Sequence, residues 1–169
     1  MKLIITLIAT TVLFFGTAIA SAQGLIDKGF VSGWNVMVDP DMGNGCLIQT
    51  VYEDYSVVRI GYDMTTNRGY FVVFNKAWGD VKKGETYDIA FDLDGKKFDA
   101  KATGFVLNKV PGAGVFFDDR NFVDAIAQRK VMTVYGRAGQ EVMAIDLKGS
   151  AKAIEYARKC QAKMGSQDG

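Results

Sequence analysis

Carboxylates are the first residues to consider as catalytic groups, because the sequence contains no histidine. Without histidine, a Ser-His-Asp or Cys-His arrangement and the usual catalytic zinc sites are excluded. Two carboxylate pairs remain, Asp39 with Asp41 and Asp118 with Asp119. Such pairs perform acid–base chemistry when the pKa of one member is raised. The first pair flanks Pro40 in a predicted turn and the second precedes a predicted helix, so we assign them turn and capping roles and predict no catalytic residue.

Calcium binding is the second kind of chemistry to consider, because two segments place acidic residues close to glycine. The two segments concerned are Asp39-x-Asp41-x-x-Asn44-Gly45 and Asp92-x-Asp94-Gly95. Neither has the ladder of ligands or the closing bidentate glutamate of an EF-hand loop, and turn geometry explains both. The 19 glycines are scattered at turns and form no phosphate-binding loop. The sequence therefore predicts no metal site and no cofactor.

The two cysteines, Cys46 and Cys160, form an even set in a chain that we predict to be exported. One disulfide between them is the favoured interpretation, since disulfides form and persist in the oxidising compartments to which proteins are exported. No C-x-x-C motif is present to lower the pKa of a thiol, so a structural bond is favoured over a redox role. Spacing alone leaves two unpaired thiols open as the alternative.

Aromatic residues are the candidates for partner binding. Tyr52, Tyr55 and Trp78 lie in the first half of the chain, and Phe116 follows the segment 112–114, which we predict to be a mobile loop. Tyrosine and tryptophan are enriched at binding hot spots, and an exposed phenylalanine beside a loop is a typical contact. The alternative is that these side chains are ordinary strand residues packed in the core.

The N-terminal segment reads as a Sec-type bacterial signal peptide. Lys2 gives a positive start, Leu3 to Phe15 is almost wholly apolar, and Ala20-Ser21-Ala22 supplies the small residues that signal peptidase reads. The apolar run is shorter than the roughly 20 residues of a membrane-spanning helix. We predict cleavage near Ala22, with an uncleaved anchor as the alternative. The mature protein would be periplasmic or secreted.

Cleavage of residues 1–22 from the 169 leaves 147, enough for one domain, which we place at 23–164 with a frayed tail at 165–169. Loss of Lys2 takes the 20 basic residues to 19, against 19 acidic residues. This balance lacks the basic footprint of a nucleic-acid-binding protein, and no basic helix indicates a membrane-surface binder. No later segment is apolar for long enough to insert stably in a membrane.

Most of the mature chain shows the short alternating runs that are typical of β-strands. Residues 23–32 look irregular, and after them we predict about eight strands: 34–38, 46–52, 57–62, 70–74, 86–93, 98–103, 131–135 and 142–147. Asp94-Gly95 predicts a type I′ turn between two of these runs. Two segments have helical rather than alternating spacing of their apolar residues, and we predict a helix in each. The first runs from Asp118 or Asp119 to about Arg129, and the second runs from 151 to 163 with Ser150 as its cap.

These elements predict a mainly β (α+β) protein, either an antiparallel β-sandwich or an open barrel, with the second helix C-terminal. The apolar face of that helix carries Ala153, Ile154, Ala157 and Cys160. A bond from Cys160 to Cys46 would tie the helix to the first hairpin.

The order of motifs resembles the invasion-associated locus B family of exported bacterial proteins. The early strand Gly33-Trp34-Asn35-Val36 comes first, Cys46 follows a Gly/Asn turn, and the segment 122–126 leads into the strand 132–135. The closest part is the ending 146–154, with its L-x-G-S-x-x-A-I pattern, which runs on to Cys160. The resemblance implies a sandwich-like periplasmic or secreted protein without known catalysis, some of whose relatives interact with host cells.

Three functional hypotheses follow. The first is a non-enzymatic interaction protein of the cell envelope, whose partner is an envelope or host protein and which uses an exposed aromatic or sheet-edge surface. The second is a binder of a small molecule or glycan, which needs a concave apolar pocket with a few polar groups. The third is a hydrolase that uses carboxylates alone, which needs two carboxyl groups facing each other across a cleft.

Overall fold

The computed structural model describes residues 24–165 of the chain. The ten strands of this part are β1 (Ile26–Val31), β2 (Trp34–Asp39), β3 (Gly45–Val51), β4 (Val57–Asp63), β5 (Arg68–Phe74), β6 (Thr86–Leu93), β7 (Lys96–Leu107), β8 (Val110–Phe117), β9 (Val131–Tyr135) and β10 (Glu141–Asp146). The helices are α1 (Asn121–Ala127) and α2 (Ser150–Gly165), and a short 3₁₀ turn spans Pro40–Met42. The predicted signal peptide and the last four residues of the predicted tail lie outside the described residues.

All ten strands form one antiparallel sheet in the order β1-β2-β3-β4-β5-β8-β7-β6-β9-β10. The sheet is not closed, because β1 and β10 are its two edges. It curls nevertheless: the indole Nε1 of Trp34 on β2 donates to the carbonyl oxygen of Lys148, just beyond β10, at 3.0 Å. The hydroxyl of Tyr52 donates to the carbonyl oxygen of Asp146 at 2.8 Å. The mainly β prediction is therefore confirmed, with ten strands rather than eight.

The main core lies inside this curl, beneath α2. Residues from both halves of the sheet share one buried cluster, which includes Trp34, Val36, Ile60, Leu93 and Ile145. Helix α2 packs across β1, β2 and β3 and contacts α1. Its predicted apolar face is confirmed, since all four members of that face are buried. Burial of this helical stripe against the sheet is what holds the two layers together.

A disulfide joins Cys46 on β3 to Cys160 on α2, with 6.2 Å between the two Cα atoms. The predicted bond is thus confirmed. Next to it, the backbone N–H of Cys46 donates to Oε1 of Gln161 at 2.7 Å. The helix is therefore attached to the sheet by a covalent bond and a hydrogen bond at the same place.

The Asp94-Gly95 turn between β6 and β7 has the predicted form. Both residues have positive φ, 52° and 91°, as a type I′ turn requires. The carboxylate of Asp94 accepts hydrogen bonds from the backbone N–H groups of Lys130 and Val131. The carboxylate of Asp92 accepts one from Gly95. The Asp92 carboxylate thus stabilises the turn, whereas the Asp94 carboxylate links the turn to the start of β9. In the turn after β2, the Asp39 carboxylate accepts from the backbone N–H of Asp41 at 3.0 Å.

Two strands were missed by the sequence prediction. The segment 23–32 was predicted to be irregular, yet Ile26–Val31 is β1, an edge strand that pairs with β2 and has a bulge between Asp27 and Gly29. Its residues are mostly exposed, so it lacks the alternation that marks a half-buried strand.

The segment 112–114 was predicted to be a mobile loop, but it lies in the middle of β8 and pairs with both β5 and β7. Its glycines are there for close packing rather than for mobility. A Cβ atom on Gly112 would lie 2.4 Å from Cδ1 of Phe74, and one on Gly114 would lie 2.4 Å from Cγ2 of Val72. The large side chains of β5 thus occupy the space above β8.

The helices begin differently from the prediction. Helix α1 spans seven residues and begins at Asn121, whose backbone N–H donates to the Asp119 carboxylate at 2.9 Å. Helix α2 was predicted to run from 151 with Ser150 as its cap, but it begins at Ser150 itself, whose hydroxyl donates to the carbonyl oxygen of Ala127 at the end of α1. Ser150 therefore links the two helices. Neither helix within residues 24–165 is long and apolar enough to cross a membrane.

A buried carboxylate, Asp63, organises the turn between β4 and β5. It accepts hydrogen bonds from the backbone N–H groups and the hydroxyls of Thr65 and Thr66, at 2.5 to 3.3 Å. Burial raises the pKa of this carboxyl, but the hydrogen bonds from the two threonines stabilise its ionised form and leave the pKa below its ordinary value. Ionised Asp63 therefore stabilises the fold.

We expect Asp63→Asn to lower the free energy of unfolding by about 1–2 kcal/mol at pH 7, because an amide accepts these bonds less well than a carboxylate. Since the pKa of Asp63 is lower in the folded state, its contribution is complete above pH ~4 and is lost as the pH falls through the folded pKa. The difference from wild type should therefore shrink below pH ~4 in urea denaturation series. The exposed Asp99→Asn is the control, and a difference independent of pH would contradict this role.

Candidate functional site

A cavity of about 570 Å³ opens at one end of the curled sheet. Its walls come from β5, β6, β7, β8, β9 and β10, and its rim comes from the segment after β5 and from the turn between β9 and β10. The wall is mainly apolar and includes Phe71, Val73, Val115, Ile89 and Val134. This size and lining are typical of pockets that bind small molecules or side chains.

The cavity exists because inward-facing side chains become smaller along the strands. On β7 the series runs Phe98, Ala100, Ala102, and on β8 it runs Phe117, Val115, Ala113. At the large end, Phe91, Phe98, Phe117 and Phe122 pack as one aromatic cluster, with 4.3 Å between the ring centres of Phe117 and Phe122. At the small end, Ala102 and Ala113 leave the space unfilled. One end of the interior is therefore a packed core and the other is a pocket.

Trp78 lies at the rim and is half-buried against the main core. Its segment is held by Asn75, which is itself buried. The side-chain amide of Asn75 donates to the Ser56 hydroxyl at 2.7 Å, and its oxygen accepts from the backbone N–H of Ala77 at 2.7 Å. The backbone N–H of Trp78 donates to the carbonyl oxygen of Asn75. The segment that carries the indole is thus held, through Asn75, against Ser56, the residue that precedes β4.

Four charged or amide residues of the lining, Asp80, Asp88, Arg137 and Gln140, are exposed. Asp88 alternates with Tyr87 and Ile89 along β6, so its side chain lies on the opposite face of the strand from theirs. Asp88 forms an ion pair with Lys101 at 2.6 Å, and that hydrogen bond, with the charges of Lys101 and Arg137, lowers the pKa of Asp88. A lowered pKa is the opposite of what a general acid needs. The arrangement suits binding, with a mainly apolar lining and a few polar groups beside it.

The other three predicted contact residues lie away from this pocket. Tyr52 packs against the main core and uses its hydroxyl internally, and its burial raises the pKa of that hydroxyl. Tyr55 is 80% exposed in the turn between β3 and β4. Phe116 lies on the outer face of the sheet, in the smaller cluster with Tyr70, and the guanidinium of Arg68 stands 4.8 Å from its ring centre. The structure therefore does not join the four aromatic residues into one surface.

Neither predicted carboxylate pair lines the pocket, and their turn and helix-start hydrogen bonds account for Asp39 and Asp119. Among residues 24–165, no three histidine, cysteine or acidic side chains are grouped so as to hold a metal ion. Sequence reasoning missed most of the pocket wall. The decreasing size of alternate residues on β7 was the signal that could have found it.

Comparison with known proteins identifies a structural neighbour. No family model matches the sequence, and no curated protein matches it. The crystal structure of invasion associated protein B from Bartonella henselae superposes with a TM-score of 0.55 and 11% sequence identity, over 79% of this chain and 97% of that chain. The two proteins share a fold. At this identity the likeness carries no residue roles, and it agrees at fold level with the family resemblance of the sequence.

Proposed function

We propose that this protein is an exported, non-enzymatic binding protein of the bacterial cell envelope, periplasmic or secreted, which receives apolar groups of its ligand in the pocket beside Trp78. The cavity of about 570 Å³ is the observation that carries the proposal. A well-formed apolar pocket of this size with a few polar groups beside it is the usual location of a binding site.

Two further observations support export and binding. The Cys46–Cys160 bond is the kind of crosslink that persists in oxidising compartments outside the cytoplasm. The fold is shared with an invasion-associated protein of Bartonella henselae. A role without catalysis fits the mainly apolar lining of the pocket.

The test is binding of 1-anilinonaphthalene-8-sulfonate, an apolar fluorophore with one anionic group, measured by its fluorescence on the oxidised protein. We expect saturable binding that Ala113→Leu weakens at least about tenfold, because the larger side chain fills the small end of the interior. Ala144→Leu, the same change on the exposed face of β10, is the matched control and should leave binding unchanged.

Near-UV circular dichroism must show native tertiary structure in each variant, because the same dye also binds molten states. Absence of dye binding to the native protein, or equal binding by the Ala113→Leu variant, would show that the cavity is not the binding site.

A further inference from the structure

One wall of the pocket is a strand with an unpaired edge. Strand β9 pairs with residues Ala90–Leu93 of β6. The pairing stops there because β9 ends at Tyr135, opposite Ala90, and the chain then turns at Gly136 toward β10. Over the preceding four residues, Thr86 to Ile89, β7 is the only neighbouring strand within residues 24–165. The sheet thus has a gap in the middle of its order, beside the cavity.

The gap leaves backbone groups available. Successive residues of an antiparallel strand direct their N–H and C=O groups to opposite neighbours. Two of the four residues from Thr86 to Ile89 therefore present both groups toward the open side. An unpaired strand edge of this kind is a template for another strand.

A strand added at this edge would also reach the cavity with its side chains. Residues directly opposite each other on neighbouring strands point to the same face of the sheet, as the buried pair Phe91 and Val134 shows. The two residues opposite Ile89 and Tyr87 would therefore point into the pocket, which both of these residues line. The residue between them would lie over Asp88 on the other face, where Asp88 is exposed and paired with Lys101.

We propose that the ligand is an extended segment of a partner protein, which adds as a strand along Thr86 to Ile89 and inserts two alternate apolar side chains into the cavity, with a polar residue between them. This inference rests on the proposed function and names its ligand class. Main-chain hydrogen bonds would supply affinity, and the pocket would select the alternate side chains.

The test begins with a random heptapeptide library displayed on phage, selected on the oxidised full-length protein and counter-selected on Ala113→Leu. We expect enriched peptides with apolar residues at positions i and i+2. One such peptide is then synthesised with a single N-methyl group at each position in turn. Methylation should weaken binding about tenfold at alternate positions, whose N–H groups face β6, and little at the others.

Hydrogen exchange locates the contact, because peptide binding should slow exchange of amides between Thr86 and Ile89, whereas the dye should not. If the dye binds the native protein but no peptide is enriched, or if N-methylation is tolerated at every position, the peptide proposal is wrong while the pocket stands. If neither dye nor peptide binds, the proposed function fails as well.

Discussion

Replacing Cys46 and Cys160 together by alanine is expected to lower the free energy of unfolding by about 4–5 kcal/mol. The bond closes a loop with a sequence separation of 114, and in the chain-entropy model a loop of that length restricts the unfolded chain by about this amount. The side chains are buried at the contact of β3 with α2, so the folded state also loses packing there. Guanidinium denaturation of the double variant and of oxidised wild type measures the difference.

Reductant provides the matched control for this prediction. It should lower the stability of wild type to near that of the double variant and leave the double variant unchanged. A loss below about 1 kcal/mol in both experiments would mean that the unfolded chain is already held compact near these residues. The single variant Cys46→Ala should resemble the double variant in stability, since either change removes the bond.

Trp34→Ala is the second large effect, with an expected loss of about 3–5 kcal/mol. The indole is fully buried in the main core, and its Nε1 donates to the carbonyl oxygen of Lys148 beyond the far edge of the sheet. The substitution therefore creates a cavity and releases a contact between the two ends of the curl. Chemical denaturation followed by far-UV circular dichroism measures the loss.

Two variants separate the contributions of packing and hydrogen bonding. Trp34→Phe keeps an aromatic ring in place but removes the donor, and we expect it to cost about 1–3 kcal/mol, less than the alanine variant. Trp78→Ala deletes the same side chain at the half-buried pocket rim and should cost clearly less stability. Equal losses at positions 34 and 78 would contradict a core that is concentrated under α2.

The parts of the fold that were predictable are those in which the local pattern and the tertiary environment agree. The β6–β7 hairpin alternates cleanly on both sides of Asp94-Gly95, so its turn type could be inferred from two residues. The face of α2 repeats at helical spacing, and Cys160 falls on that face. Both signals depend on neighbours along the chain, which a sequence displays directly.

The failures have the opposite character. Strand β8 contains Gly112 and Gly114, which indicate a loop until the overlying side chains of β5 are known. Those neighbours are about 40 residues away, so the reason for the glycines is not local. Tyr52 was predicted as a contact residue because the sequence does not show that its hydroxyl donates to the carbonyl oxygen of Asp146, 94 residues further along the chain.

The candidate site was predicted only in part for the same reason. Trp78 was identified by its residue type, but the pocket around it comes from strands whose order in the sheet differs from their order in the chain. The unpaired edge of Thr86 to Ile89 depends on where β9 ends relative to β6. The alternation of apolar and polar residues shows which side chains share a face of a strand, but it does not show which strands are its neighbours in the sheet.

The gradient of side-chain size along β7 and β8 has a consequence for how such proteins diverge. The phenylalanine end is closely packed and Ala113 borders open space, so we expect substitutions at Ala113 to change the shape of the cavity with less effect on the aromatic cluster. A lineage with this architecture can acquire new ligands through a few changes at one end of the curl while selection preserves the other end.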